Sequence, residues 1–313
     1  MAPGQRPRIL AIVGPTASGK TALAVELAER FGLPVLGADS LQVYRYLDIG
    51  SAKPTVEERR RAAHHLIDLV DPDEPFTAAD YAAHGRRVIE ALRIGRPGGP
   101  PGALLVGGTG LYVRALTRGL IPAPAVAAAV RARIEAEVAA DPEAARARLA
   151  AADPETARRL APADRVRLVR ALEILEATGE PPSALRAAHR FGDSVFDVAI
   201  AVLRVPVADL DRAIAARVDR MLAAGLVDEV RSLHARGYGP ELKPMRALGY
   251  RQVGDYLAGR LTLAEAAASI KTETRRYAKR QRTWWRGERE ARWVDASQAR
   301  VTLAELARRH LHL

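Results

Sequence analysis

Gly14-Pro15-Thr16-Ala17-Ser18-Gly19-Lys20-Thr21 fits the pattern G-x-x-x-x-G-K-[ST] at every fixed position. Ahead of it, Arg8-Ile9-Leu10-Ala11-Ile12-Val13 is an apolar run of strand length. Behind it, Leu23, Leu27 and Phe31 recur at helical spacing with Ala24 and Ala28 beside them, and Gly32 supplies a stop. Strand, glycine-rich loop and helix is the context in which this pattern cradles phosphate. Successive backbone N–H groups curl around an anion, the helix N-terminus adds its positive dipole end, and Lys20 neutralises further charge. The Thr21 hydroxyl is placed to hold Mg²⁺. The loop does not reveal which diphosphate or triphosphate it takes.

Working outward, Pro34-Val35-Leu36-Gly37-Ala38-Asp39-Ser40 reads as a second strand ending in polar residues. Ligands of open parallel sheets sit at the carboxyl ends of strands, so Asp39 and Ser40 belong to the crevice of the phosphate loop. Asp48 to Pro54 reads as a loop, Val56 to Ala63 and Thr77 to Leu92 as helices. His64-His65 lacks both helical i, i+4 spacing and cysteine neighbours, so a structural reading is preferred to a metal site. Ala103-Leu104-Leu105-Val106 is a buried-strand run that ends in Gly107-Gly108-Thr109-Gly110. Many phosphate-loop enzymes carry a magnesium-holding Asp at such a strand end. Here Asp39 assists the metal, or Thr21, water and substrate hold it alone, which weakens a simple ATPase reading.

From about residue 125 to 179 the chain turns Ala/Arg/Glu-rich, with Asp-Pro helix starts at Asp141 and Asp153 and no strand candidate. Nine Arg balance nine Asp plus Glu there, as expected of solvated helix faces. Val195 to Val205 resumes the strand pattern, and Asp209 to Ala224 is an amphipathic helix containing Arg217. A basic loop with an aromatic runs from Lys243 to Gln252. Lys271 to Arg289 holds eight Lys/Arg against two acids, with Arg275, Lys279, Arg282 and Arg286 on one helical face. Such a face suits a nucleic-acid backbone, whereas Trp284 and Trp285 are expected to pack inward. A short strand, Arg292 to Val294, and a helix, Thr302 to His310, follow.

The 313 residues suggest about two domains, and 48% hydrophobic residues suffice for a substantial core. The expected boundaries are an α/β core, 1–122 with 190–313, and a helical insertion, 123–189. The fold expected is α/β: a P-loop NTPase-like parallel sheet flanked by helices, with an inserted all-helical domain. Net charge is +11, which fits a polyanionic partner. The absence of cysteine excludes disulfides and thiolate chemistry and is compatible with a reducing cytoplasm. No run of about 18 apolar residues is present, so no membrane span is expected. Met1 to Pro7 lacks a signal-peptide apolar region and reads as a loose end.

The ordered motifs carry a resemblance along nearly the whole chain. They are Gly14 to Thr21, Asp39-Ser40-Leu41-Gln42-Val43-Tyr44, Asp48 to Pro54, His65-Leu66-Ile67-Asp68, Val106 to Tyr112, Val130 to Glu135, Arg167 with Arg170-Ala171-Leu172-Glu173, Leu248 to Gln252, and Ala278-Lys279-Arg280-Gln281 with Thr283-Trp284. In this set the chain resembles the tRNA dimethylallyltransferases, also called tRNA isopentenyltransferases, in their short bacterial form without a zinc finger. Ser51 stands where that family usually has Thr.

The resemblance implies transfer of a dimethylallyl group from dimethylallyl diphosphate to the N6 of the adenosine immediately 3′ of the anticodon, adenosine-37. The phosphate loop, Gly14, Pro15, Thr16, Ala17, Ser18, Gly19, Lys20 and Thr21, would then hold the diphosphate rather than ATP. It further implies catalytic roles for Asp39 and Thr109, with Lys20 and Arg217 on the diphosphate. Asp39, Ser40, Leu41 and Gln42, with Thr109, would handle the target adenine. Contacts with the tRNA anticodon stem-loop would fall on Arg131, on Ala163, Asp164, Arg165, Val166 and Arg167, and on Arg246, Gly249, Tyr250 and Arg251. The cationic face adds Arg275, Lys279 and Arg282. A cytoplasmic monomer is expected. The alternatives are a P-loop kinase of a small metabolite, which leaves the cationic aromatic helix unexplained, and a nucleic-acid-binding ATPase.

Overall fold

A computed structural model describes residues 6–121, 126–189 and 195–313. The first five residues and the expected domain junctions at 122/123 and 189/190 lie outside, or at the border of, the described residues. The chain divides into two compact units, Met1–Thr117 with Val195–Leu313, and Arg118–Ser194.

The first unit is built on a six-stranded sheet whose strands are β1 (Arg8–Val13), β2 (Val35–Ala38), β3 (His64–His65), β4 (Gly102–Gly107), β5 (Asp197–Arg204) and β6 (Ala291–Asp295). Their order is β3-β2-β4-β1-β5-β6 and every pairing is parallel. Val13 lies opposite both Gly107 and Val202, and Ala38 opposite Gly107. The loops after β1, β2 and β4 therefore leave the sheet at the same level. The strands read as continuous apolar runs because both faces are covered. Ile9, Ala11, Leu36 and Leu105 pack into one core, and Leu10, Ile12, Val35 and Leu104 into the other. The histidine pair is the short edge strand β3, aligned with Val35 and Leu36.

In chain order the helices are α1 (Lys20–Phe31), α2 (Val56–Arg61), α3 (Ala78–Ala91) and α4 (Gly110–Arg118), then in the second unit α5 (Ala128–Ala140), α6 (Pro142–Ala152), α7 (Pro154–Arg159), α8 (Arg165–Thr178) and α9 (Pro182–His189). Back in the first unit come α10 (Val207–Ala223), α11 (Leu226–Ala235), α12 (Tyr250–Leu257), α13 (Leu263–Arg286) and α14 (Ala299–Leu311). α1 and α14 cover one sheet face, and α3, α4 and α11 to α13 contribute to the core on the other. α13 is capped by Thr262, whose hydroxyl accepts from the Glu265 N–H while Glu265 bonds back.

The second unit is helical in its described residues and has its own core of Ile134, Val138, Leu149, Leu168 and Leu172. The two Asp-Pro starts act as caps: Asp141 accepts from the Glu143 and Ala144 N–H groups and Asp153 from that of Thr156, with Pro142 and Pro154 in the first turn.

Candidate active site

β1 feeds the loop 14–19, and α1 begins at Lys20. The Lys20 Nζ donates to the Pro15 carbonyl at 2.6 Å. Burial, then the Arg217 charge, lowers its pKa from 10.5 to about 7, with Asp39 pulling the other way. Arg217, on α10, is likewise lowered by burial and supported by Asp39. One carboxylate thus faces two buried cations, a balance that an incoming anion improves.

The loops after β2 and β4 are stitched together. Thr109 donates its N–H to the Ala38 carbonyl at 3.1 Å, and its hydroxyl accepts from the Ser40 N–H at 3.1 Å. Asp39 Oδ1 accepts from the Leu41 N–H at 2.9 Å, which fixes the carboxylate beside the crevice. Tyr277, from α13, lies beside Thr109 and Gln281, and burial pushes its phenol up to about 12.

A cavity of about 330 Å³ opens here. Its polar lining includes Thr16, Asp39, Ser40, Arg217, Tyr277 and the further cations Lys243 and Arg280, and Leu41, Ile214, Val218, Met221, Leu248 and Ile270 are among its apolar walls. A charged end and an apolar body suit a ligand with an anionic head and a hydrocarbon tail. Thr21 faces a neighbouring cavity of about 860 Å³, with Arg217 and Met221 common to both linings.

The structure refines several expectations. The loop N–H groups were expected to face an anion together; that of Thr16 is instead taken by Gln281 Oε1 at 2.7 Å. Gln42 was expected to handle adenine, and its Nε2 is committed to the Ser51 and Ala52 carbonyls at 3.2 and 3.0 Å. Tyr250 was expected among the RNA contacts. Its side chain is buried, and its hydroxyl donates to Glu229 at 2.8 Å. Glu229 also accepts the Asp48, Ile49 and Gly50 N–H groups, so the pair anchors the 48–54 loop. Lys53 in that loop is buried between the Tyr44 carbonyl, Asp48 and Asp68, a structural role.

Among the other expected contacts, Arg246 is exposed, Gly249 lines the smaller cavity, and Arg251 lies 3.9 Å from Glu273. Arg131 and the stretch from Ala163 through Asp164, Arg165 and Val166 to Arg167 belong to the second unit. Arg131 grips the buried Glu173 at 2.6 Å, and Asp164 caps α8. On α13, Arg275 lies 3.8 Å from Asp211, whereas Lys279 and Arg282 make no ion pair among the described residues. Trp285 is buried, and Trp284 packs under the Arg114 guanidinium at 4.5 Å.

Sequence reasoning missed Gln281, Tyr277 and Glu229. The available signal was position: Thr274 and Gln281 are polar residues on the buried face of α13. Among the described residues no group of three or more His, Cys, Asp or Glu could hold a metal ion, and no helix is long and apolar enough to cross a membrane.

Comparison with known proteins gives the same picture from the sequence side. The family model for IPP transferase matches residues 42–288, and that for isopentenyl transferase residues 7–71. A tRNA dimethylallyltransferase of Geobacter metallireducens is 48% identical over 93% of each chain. One from Syntrophobacter fumaroxidans is 47% identical over 96% of this chain and 87% of its own. Among solved structures, the tRNA isopentenylpyrophosphate transferase of Bacillus halodurans superposes with a TM-score of 0.71 at 35% identity, covering 98% of this chain and 97% of that one. A eukaryotic dimethylallyltransferase acting on tRNA gives 0.80 at 26% identity over 96% of this chain and 78% of that one.

Proposed function

The chain belongs to the IPP transferase family, and from that premise we propose that it transfers a dimethylallyl group from dimethylallyl diphosphate to the N6 of adenosine-37 in a tRNA anticodon stem-loop. The carrying observation is the 330 Å³ cavity, in which Asp39 and Arg217 share one lining with apolar walls beside the phosphate loop.

In this reading the diphosphate lies in the Gly14–Thr21 loop against Lys20 and Arg217, and the five-carbon tail lies among the apolar walls. The adenine leaves its stack to reach the crevice, a step made cheaper in a partly single-stranded loop. The N6–C1 bond forms as the C1–O bond breaks, and diphosphate departs. Lys20 and Arg217 meet the charge that grows on the leaving oxygen. Asp39 accepts the proton that N6 becomes able to lose, and Thr109, with its hydroxyl held by the Ser40 N–H, lies beside it to meet the reacting groups.

The donor set suits a hard cation held by few protein atoms. Thr21 offers one hydroxyl toward the larger cavity, and the remaining ligands would be diphosphate oxygens and water. Mg²⁺ bound there would add countercharge to the leaving group. We assign RNA contact to Arg131, to Ala163–Arg167, to Arg246, Gly249 and Arg251, and to Lys279 and Arg282, in a protein acting as a cytoplasmic monomer.

The test is a mass measurement. Protein, Mg²⁺ and an anticodon stem-loop are mixed with either dimethylallyl diphosphate or ATP. The RNA should gain one five-carbon unit with the first and nothing with the second. A phosphate gain, or ATP hydrolysis without RNA modification, would support the kinase or ATPase alternative.

A further inference from the structure

Among the described residues, the two cavities beside the phosphate loop, about 330 and 860 Å³, share only Arg217 and Met221 in their linings. These two stand one turn apart on the same face of α10. Ile214 and Val218 of that helix face the smaller cavity alone, and Arg220 and Ala224 the larger alone. Across from them runs the 48–54 loop, with Gly50 and Ser51 in the smaller lining and Ile49 and Ala52 in the larger. The partition between the cavities is therefore made of Arg217, Met221 and this stretch of loop.

Two of the three parts are anchored. Glu229 accepts the N–H groups of Asp48, Ile49 and Gly50 at 2.9, 2.7 and 3.1 Å. Gly50 also lies so close to Tyr250 that a Cβ there would stand 2.6 Å from the ring. Arg217 is held by the charge of Asp39. Met221 has no comparable anchor. It is a half-buried thioether on three rotatable bonds, and it closes the partition by bulk alone. The smaller cavity, about 330 Å³, is near the lower limit of small-molecule sites, roughly 300–1,000 Å³. In the proposed reaction it takes both the five-carbon tail and the incoming adenine, which leaves no room for a second isoprene unit. Beyond the partition, Ile49, Pro54, Val56 and Ala224 give the larger cavity an apolar stretch for a longer tail to follow.

We propose that Met221 sets the length of prenyl tail the protein accepts, by closing the donor cavity beyond a five-carbon chain. The inference rests on the dimethylallyl-transfer reading above. Removing the side chain joins the two cavities, and geranyl diphosphate, one isoprene unit longer, becomes a donor. Its transfer breaks the same C1–O bond, forms the same N6–C1 bond, releases diphosphate and hands the N6 proton to Asp39. Only the room for the tail differs.

The test gives the full-length chain, Mg²⁺ and an anticodon stem-loop both dimethylallyl and geranyl diphosphate in competition. Mass separates RNA carrying a five-carbon unit from RNA carrying a ten-carbon one. The native chain should favour the shorter donor by at least about 100-fold, since even one methylene too many is worth about 10–200-fold. Met221→Ala places the best helix former in α10 and should narrow that ratio at least about tenfold. Met221→Val, a milder truncation, should shift it in the same direction, and Met221→Leu, of similar volume, should keep it. Leu248→Ala enlarges the smaller cavity without opening the partition and should move the ratio by less than about threefold. A native ratio near one overturns the inference. So does five-carbon transfer with an unchanged ratio in both Met221→Ala and Met221→Val, or an equal shift in Leu248→Ala. No five-carbon transfer by the native chain overturns the functional reading and this inference with it.

Discussion

Gln281 holds Thr16 in place from 265 positions away: its Oε1 accepts the Thr16 N–H at 2.7 Å. The other end of the same amide donates to the Gly108 carbonyl at 3.0 Å. One buried side chain of α13 therefore ties together the loops that follow β1 and β4. The glycines after β4 make room for this. A Cβ on Gly108 would stand 2.1 Å from Gln281 Nε2, and one on Gly110 2.1 Å from Trp284 Nε1. At these two positions α13 leaves no room for a side chain of any kind.

Gln281→Leu should leave the Thr16 N–H and the Gly108 carbonyl without partners, at about 1–3 kcal/mol for each group. Denaturant unfolding should show the loss, and the KM for the prenyl donor should rise as the phosphate loop loosens. Stability within about 0.5 kcal/mol of the native chain would mean that the bridge carries no load.

Lys20 gives a pH signature. Its pKa is lowered to about 7 without ligand, chiefly by burial and then by Arg217. A bound diphosphate favours the charged form and raises that value again. The sign follows: below about pH 7 the lysine is already protonated, and above it binding must take up a proton. Donor affinity should fall as pH rises through 7 toward 9. Calorimetry at pH 8 in buffers of different ionisation enthalpy should show proton uptake, and Lys20→Arg should abolish it. No uptake in the native chain would contradict the assignment.

How much of this was legible in sequence differs from element to element. The span of β1 was readable to the residue, because an apolar run bounded by Pro7 and Gly14 has few alternatives. Helices with Asp-Pro caps or clear apolar spacing were readable, whereas α4 was not singled out and the start of α12 at Tyr250 reads as part of a basic loop. The parallel sheet and the family followed from ordered motifs. What stayed hidden was which polar residues face inward. Gln281 is distinguished from its charged neighbours only by its place on a buried face, and Tyr250 reads as a loop aromatic until Glu229 is seen against it. Pairings between residues far apart in the chain have no local signature.

Arg131 is both an expected RNA contact and the partner of a buried carboxylate. Glu173 has no exposed side-chain surface, and Arg131 and Arg170 grip it at 2.6 and 2.9 Å. Removing one partner from a buried pair is strongly destabilising, by about 3–5 kcal/mol in the worst case, with Arg170 left here to soften it. Arg131→Ala should therefore raise hydrogen exchange across α5 and α8 even without RNA. Unchanged exchange combined with weaker RNA binding would assign Arg131 to the RNA alone.

Salt should separate the cations of α13. If phosphates are neutralised there, the logarithm of RNA affinity falls linearly with the logarithm of salt concentration. Replacing Arg275, Lys279 and Arg282 together by Ala should flatten that line. Arg275 alone should matter least, since Asp211 already lies 3.8 Å away. An unaltered slope in the triple variant would make this face solvated surface.

Asp39→Asn in a single-turnover transfer assay bears most directly on the proposed chemistry. The amide keeps the size of the side chain and its hydrogen bond to the Leu41 N–H, 2.9 Å in the native chain, but cannot accept the N6 proton. Loss of a general base typically slows a reaction by about 10²–10⁴. The transfer rate should drop by that order, with donor and stem-loop affinities within a few-fold of native. A rate near the native one, or one restored by raising Mg²⁺, would contradict the account and make Asp39 a residue of the metal site or of the fold.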